Sequence, residues 1–258
     1  MRTDFLFSVV TITRDNFQGL QKTAQSVMDQ SFRNFEWIIQ DGASSDETQD
    51  YIQSLTEQQN INIKWETRKD KGIFDAMNKG LEKSSGVYVI FMNAGDTFAS
   101  FDVLQRICER LSENEGRNPA FIFGDSLEMP EPHKPVVKKA KPVSSIPYGM
   151  ITHHQAMFYS TDNIRKMNLT FNTAYRCAGD YDFTLRFLLE FDRCLKLDFA
   201  VCLFEKGGIS EQNPEIGRRE EYEIRKEILR WPETLNKAYM QFQSFKLLAR
   251  KTLDMVSR

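Results

Sequence analysis

Val87-Tyr-Val-Ile-Phe-Met92 runs without a break into Asn93-Ala-Gly-Asp96. A six-residue apolar, β-rich run predicts a fully buried central strand. It stops at a polar turn that ends in a carboxylate. In open α/β sheets, ligands gather in the crevice beyond the carboxyl ends of the strands. An acid delivered there is placed to hold a metal or a phosphate-bound cation; the alternative is that Asp96 simply caps a turn.

Upstream, strand and helix patterns alternate. Strands are predicted over Phe5–Ile12, Phe35–Ile39 and Ile61–Trp65, and helices over Gly19–Met28 and Phe74–Lys83. Ser44-Ser-Asp-Glu47 has the form of a capping box, which predicts a helix from there to about Thr56. Downstream come a helix over Asp102–Leu111 and a strand over Ala120–Phe123, ending in Gly124-Asp125. Strands separated by helices imply an α/β fold with a mostly parallel sheet and right-handed crossovers. After Asp125 the pattern changes. The proline- and lysine-rich stretch from Glu128 to Pro147 predicts a hairpin or irregular excursion. Gln155–Tyr159 reads as a strand, Tyr181–Phe191 as a helix and Cys194–Phe204 as one or two strands. Two helices, about Pro214–Arg230 and Glu233–Val256, are separated at Trp231-Pro232, where proline breaks the run.

Bulk composition narrows the class. The 258 residues suffice for one large α/β domain with additions, and 41% hydrophobic with 27% charged residues fits a globular chain. A net charge of −2 gives no support to nucleic-acid binding. The longest apolar runs are too short to span a membrane, and Met1-Arg-Thr-Asp4 opens no signal peptide. Four cysteines without CxxC spacing suggest neither zinc nor a disulfide framework. The expectation is a reduced, cytoplasmic protein.

No G-x-G-x-x-G and no P-loop follows the first strand, so a nucleotide must be held by strand-end side chains. Thr13 and Arg14, Asp41, and Asn93 with Asp96 offer such groups at the ends of three strands. Asp41 can accept from a base N–H, and Asp96 can hold a divalent cation on a diphosphate. The bland readings are an ordinary Asp-Gly turn for Asp41, a strand-forming role for Thr13 and a solvated loop charge for Arg14.

The words themselves are informative. Phe7-Ser-Val-Val-Thr-Ile-Thr13, Glu36-Trp-Ile-Ile-Gln-Asp-Gly-Ala-Ser-Ser-Asp-Glu-Thr48, Asp70-Lys-Gly-Ile-Phe-Asp-Ala-Met-Asn-Lys-Gly80 and Asn93-Ala-Gly-Asp96 stand in order. His154-Gln-Ala156, Gly179-Asp-Tyr-Asp182 and Gly207-Gly-Ile-Ser210 follow. Together they resemble the family 2 glycosyltransferases of the GT-A fold, in particular the bacterial colanic-acid and exopolysaccharide branch, over roughly residues 5–212.

The resemblance implies a GT-A domain over 1–212, divided into a nucleotide-sugar-binding half (1–125) and an acceptor and catalytic half (126–212), with a C-terminal helical extension over 213–258. It implies an inverting hexosyltransferase that moves sugar from a UDP- or GDP-sugar to a polysaccharide or lipid-linked acceptor, assisted by Mg²⁺ or Mn²⁺. A catalytically weak nucleotide-sugar-binding protein is the alternative. By position, Thr13 and Asp41 fall on the base contacts, and Asp70, Asn78 and Lys79 on the nucleotide-sugar pocket. The metal-binding D-x-D falls on Asn93, Ala94 and Gly95 with Asp96 beside it, so two usual acids are replaced. Carboxylate count tunes affinity for these ions. Asp180 matches the catalytic base, with Gly179 in place of a glutamate and Asp182 retained; as a helix N-cap it would instead be worth about 1 kcal/mol.

His153 and His154, adjacent on a strand, point to opposite faces and do not readily share one ion. His154 is expected at the acceptor or phosphate pocket, or as a structural histidine. From Asn236 to Arg258 the chain carries Lys237, Lys246, Arg250, Lys251 and Arg258 against Asp254 alone. This stripe reads as lying on the inner face of an anionic membrane, or as packing on its own domain or on a second subunit. The Lys134–Lys141 cluster reads as a solvated loop, or as attracting a lipid diphosphate.

Overall fold

In the computed structural model, the described residues are 5–57, 61–113, 118–129, 135–205, 207–208 and 212–256, with side chains through 245. Strand β1 (Phe7–Thr13) is buried at every position, as is β2 (Phe35–Asp41). That follows from helices on both faces of the sheet. Period-two alternation sends Phe7 and Val9 to one core with Leu20, Trp37 and Ile90, and Val10 and Ile12 to the other with Phe74, Met77 and Phe121.

The remaining strands are β3 (Asn62–Thr67), β4 (Tyr88–Phe91), β5 (Thr97–Phe98), β6 (Phe121–Glu128), β7 (Val136–Lys138), β8 (Met157–Ser160) and β9 (Cys194–Phe204). They form one sheet in the order β3-β2-β1-β4-β8-β6-β9-β5, with β7 beside β6. The pairs β1–β2, β1–β4, β2–β3 and β6–β9 are parallel; β8, β5 and β7 run the other way. The mostly parallel sheet is therefore present, with β8 inserted antiparallel between β4 and β6. The 128–147 excursion is a hairpin strand, β7, followed by a 3-10 turn over Val143–Tyr148. Part of its lysine cluster, Lys134, lies outside the described residues.

The helices are α1 (Phe17–Met28), α2 (Thr48–Glu57), α3 (Ile73–Lys83), α4 (Val103–Glu113), α5 (Thr161–Met167), α6 (Gly179–Glu190), α7 (Pro214–Glu227) and α8 (Glu233–Val256). The expected capping box at Ser44 does not form. The Ser44 amide and hydroxyl both donate to the Asp41 carboxylate, the hydroxyl at 2.5 Å, so the charged acceptor takes Ser44 away from the helix. Asp46 instead accepts from the Thr48 N–H at 3.1 Å and from Phe17 at 3.0 Å.

Gly86 enters β4 against the backbone of β1, where a Cβ would lie 2.7 Å from Phe7 C and Ser8 N. Arg225 of α7, fully buried, donates to Asn236 at 2.9 Å and lies over the ring of Tyr239 at 5.0 Å. Part of the C-terminal stripe thus packs on its own domain: Tyr239 also donates to the Tyr148 carbonyl at 2.8 Å. Phe242 and Phe245 remain exposed, and the side chains of the later basic residues lie outside those described. Among the described residues, no helix is long and apolar enough to cross a membrane.

Candidate active site

The carboxyl ends of β1, β4 and β9 open onto a cleft of ≈ 680 Å³. Parallel strands lay their ends along one edge, and the cleft is completed by facing loops and by the first residues of α3 and α6. Seven residues expected from the sequence line the cleft: Thr13, Arg14, Asp70, Asn93, Asp96, His154 and Asp180.

Asp96 sits at the end of the turn that follows β4. The turn is closed by its own N–H donating to Asn93 O at 2.9 Å, and Gly95 within it has φ +108°. A Cβ on Gly95 would lie 2.1 Å from a carboxylate oxygen of Glu205, which follows β9. Gly95 thus leaves room for an acid brought from a distant strand. The Asp96 carboxylate accepts from Gln155 Nε2 at 2.5 Å and from the Glu205 N–H at 2.9 Å. Burial pushes its pKa up to about 6, against the lowering effect of those hydrogen bonds and of nearby His154.

A raised acid pKa means that protonated Asp96 favours the folded state. This stabilisation is complete below the unfolded value of 3.8 and is lost as pH rises through about 6. Asp96→Asn is expected to stabilise the ligand-free protein at pH 8 by on the order of 2–3 kcal/mol. Its advantage should shrink below pH 5. Thermal or urea unfolding of both proteins across this range checks it; equal stability at pH 8 would contradict the assignment.

His154 lies between the two halves of the cleft. Its Nε2 is 3.1 Å from Asn93 Nδ2, and its Nδ1 is 3.5 Å from Asp180 Oδ2. With Asn93 Nδ2 as donor, Nε2 is the acceptor and the ring proton sits on Nδ1, facing the Asp180 carboxylate. The two histidines are not on a strand as expected: His154 opens the 3-10 turn His154–Ala156, and His153 is its N-cap. His153 makes a separate set of contacts. It stacks on Phe204 with centroids 4.1 Å apart, meets Ser126 Oγ at 2.9 Å, and is pushed down to about 4 by burial and Lys138. Asp180 is the second residue of α6, whose N-cap is Ala178, so it is not the cap. Its Oδ1 accepts from the Tyr181 N–H at 2.8 Å.

Four expected residues are held elsewhere. Asp41 is fully buried and turned onto Ser44, behind the rim formed by Arg14 and Asp70. Asn78 clasps the backbone of Phe171 from both sides, at 2.9 and 2.8 Å. Lys79 pairs with Asp75 at 2.9 Å and donates to Lys69 O. Asp182 is buried against the Arg186 guanidinium, one helical turn on. Asn78 and Lys79 lie beyond the first turn of α3 and are held by neighbouring elements, whereas Asp182, still in the first turn of α6, is drawn away by its pairing with Arg186. Asn78→Ala should cost about 1–3 kcal/mol of stability and leave donor KM unchanged, as denaturant titration beside steady-state kinetics would reveal.

Gln155, Glu205 and Arg176 also line the cleft and were not singled out from the sequence. Gln155 was within reach, since it stands in the quoted His154-Gln-Ala156 word. Buried side-chain oxygens of Thr13, Asn93 and Gln155 have no hydrogen-bond partner. Such groups are costly unless a ligand or water completes them.

Comparison with known proteins bears on the family and the fold. Residues 8–179 match the sequence model described as Glycosyl transferase family 2. An uncharacterized glycosyltransferase of Mycobacterium tuberculosis is 28% identical, over 78% of this chain and 76% of its own. A PGL/p-HBAD biosynthesis glycosyltransferase of Mycobacterium bovis is 25% identical, over 70% of this chain and 69% of its own. S. aureus TarS 1-349 in complex with UDP-GlcNAc superposes with a TM-score of 0.68 at 19% identity, covering 91% of this chain and 70% of that one. The mannosyltransferase PcManGT from Pyrobaculum calidifontis, in complex with GDP-Man and Mn²⁺, gives 0.67 at 14% identity, covering 91% and 69%. The architecture is that of GT-A glycosyltransferases. A particular tie to the colanic-acid branch finds no support among these relatives.

Proposed function

The chain belongs to glycosyl transferase family 2, and from that premise we propose that it moves a sugar from a nucleoside-diphosphate donor to a saccharide or lipid-linked acceptor of a cell-surface polysaccharide, with inversion. One observation carries the reading: a single cleft at the strand ends unites Asp96 on one wall with Asp180 on the other, joined through Asn93 and His154. The donors named for TarS and PcManGT, UDP-GlcNAc and GDP-Man, support a nucleotide sugar as the ligand.

The residues divide by chemistry. Thr13, Arg14 and Asp70, along one rim, take the nucleotide, and Asp41 supports that rim through Ser44. Asp96 faces the diphosphate. A divalent cation fits there: Asp96 is a buried carboxyl beside Glu205, and the Asn93 Oδ1 lacks a partner. Few protein carboxylates are needed when a donor diphosphate supplies the other ligands. Asp96 with Asn93 would hold the ion, which supplies neutralisation of the charge that develops on the leaving diphosphate.

Asp180 accepts the proton of the acceptor hydroxyl as that oxygen bonds to the anomeric carbon and the bond from carbon to diphosphate breaks. Attack from the face opposite the leaving group inverts the centre. Peripheral contact with an anionic membrane through residues 236–258, near a lipid-linked acceptor, remains part of the proposal; exposed Phe242 and Phe245 support it.

The test is a panel of UDP- and GDP-sugars with and without Mn²⁺ and a lipid-linked acceptor. Acceptor-dependent nucleoside diphosphate release is expected with one donor. Donor binding without release under any condition would leave the binding-only reading standing instead.

A further inference from the structure

The clearest interaction outside the cleft that bears on it comes from the C-terminal extension. Both carboxylate oxygens of Glu220, on α7, accept backbone hydrogen bonds from the segment that leads into α6. Oε1 takes the Arg176 N–H at 2.8 Å, and Oε2 takes the Cys177 and Ala178 N–H groups, each at 2.8 Å. Ala178 is the N-cap of α6 and provides no side-chain cap of its own. The first N–H groups of a helix have no partner within it, and a carboxylate there is favoured by the helix dipole. Glu220 serves the N-cap N–H of Ala178 from another element, and its other two bonds hold the Arg176 and Cys177 N–H groups that precede the helix. Two residues beyond Ala178 stands Asp180, while Arg176 and Cys177 themselves line the cleft.

We propose that Glu220 is a positioning residue: its three hydrogen bonds to residues 176–178 fix where α6 presents Asp180 to the acceptor. This rests on the reading of Asp180 as the base. It makes the extension beyond residue 212 a working part of the site rather than an appendage. A second contact supports the same arrangement, because Gly217 of α7 packs near Cys177, where a Cβ would lie 3.7 Å from Cys177 Cβ. Without the carboxylate, three consecutive N–H groups lose their acceptor and the start of α6 is free to shift. A displacement of about 1 Å at a reacting group can cost about 100-fold in rate.

The experiment uses the full chain and the variants Glu220→Ala and Glu220→Gln. With the donor found active in the panel, Glu220→Ala is expected to lose about 100-fold in kcat while donor KM stays within a few-fold. Added formate, a carboxylate small enough for the vacated place, should restore part of that loss in Glu220→Ala and do nothing for the wild type. Independently of turnover, maleimide labelling of Cys177, read by mass spectrometry, should accelerate by roughly tenfold or more, with Cys108 on α4 labelling at its wild-type rate.

Wild-type kcat together with wild-type Cys177 labelling overturns the proposal. So does a loss of activity that formate leaves untouched and that comes with faster labelling of Cys108, since that reports general loosening. If Asp180→Asn is fully active while Cys177 labelling still responds to Glu220→Ala, the assignment of the base fails and the loop contact stands.

Discussion

Asp180→Asn lowers kcat by about 10²- to 10⁴-fold, with donor affinity little changed. Asparagine has the same shape and keeps an oxygen for the Tyr181 N–H, the 2.8 Å contact that holds the side chain against its own helix. What disappears is the capacity to take a proton. With that oxygen on the Tyr181 N–H, the side facing His154 Nδ1, 3.5 Å from Asp180 Oδ2, presents the amide nitrogen. An amide nitrogen is no base. The nucleotide contacts proposed above lie along the rim formed by Thr13, Arg14 and Asp70, so calorimetric titration with the nucleoside diphosphate should give a wild-type Kd. Steady-state kinetics with saturating acceptor measures the rest. An Asp180→Asn protein that turns over at the wild-type rate would remove this side chain from the chemistry.

Glu36→Ala is expected to cost about 3–5 kcal/mol of stability, the largest loss foreseen for any single change away from the cleft. Its side chain is fully buried within β2. One oxygen accepts from Ser8 Oγ at 2.6 Å, from the Ser85 N–H at 2.5 Å and from the Gly86 N–H at 3.2 Å; the other pairs with Lys64 at 2.6 Å. It joins β1, β2, β3 and the entry to β4 in one network. Alanine leaves buried donors unsatisfied, which is the costly half of a broken hydrogen bond.

The same network sets a pH dependence. Burial raises the Glu36 pKa, but Lys64, Ser8 and Ser85 together outweigh it, and the folded value lies below the ordinary 4.5. The stabilisation from the ionised form is present above pH 4.5 and is lost as pH falls through the depressed folded value. Glu36→Gln should therefore unfold with less acid sensitivity than the wild type below pH 4.5. Urea unfolding midpoints at neutral and acid pH test both variants; an Ala variant within 1 kcal/mol of wild type at pH 7, by the usual scale of surface substitutions, would refute the network's importance.

The parts of the fold legible in the sequence are those written in local pattern. The buried runs at Phe7 and Val87 give strands, and parallel strands must share an edge, which is why Thr13, Asn93 and Asp96 meet. Strand direction is a different matter. Gln155–Tyr159 reads as a strand from its residues, yet nothing local says that β8 runs antiparallel between β4 and β6. Family words located Asp70, His154 and Asp180 at the cleft, but the same procedure placed Asn78, Lys79 and Asp182 there. A word fixes a residue's place along a helix; which way the side chain turns is settled by partners such as Phe171, Asp75 and Arg186, which lie outside the word. Glu205 and Glu220 were missed for a related reason. Each is an ordinary glutamate in sequence: Glu205 matters through its own backbone N–H, given to the distant Asp96, and Glu220 through a carboxylate that accepts backbone N–H groups of another segment.

The hydrogen bond from the Glu205 N–H to Asp96 spans 109 residues. Its consequence concerns synthesis on the ribosome. When β1 to β4 have emerged, their parallel pairing can be complete, yet Asp96 still lacks the amide that holds one of its oxygens. β9 must thread in beside β6 and pair with the two-residue β5 before that amide arrives. Contacts of such sequence separation form late because loop closure precedes any gain from them. A nascent chain stopped short of residue 205 therefore carries β1 to β4 without the amide that completes the Asp96 wall of the cleft. On the function proposed above, competence for the donor is acquired only as β9 is laid down.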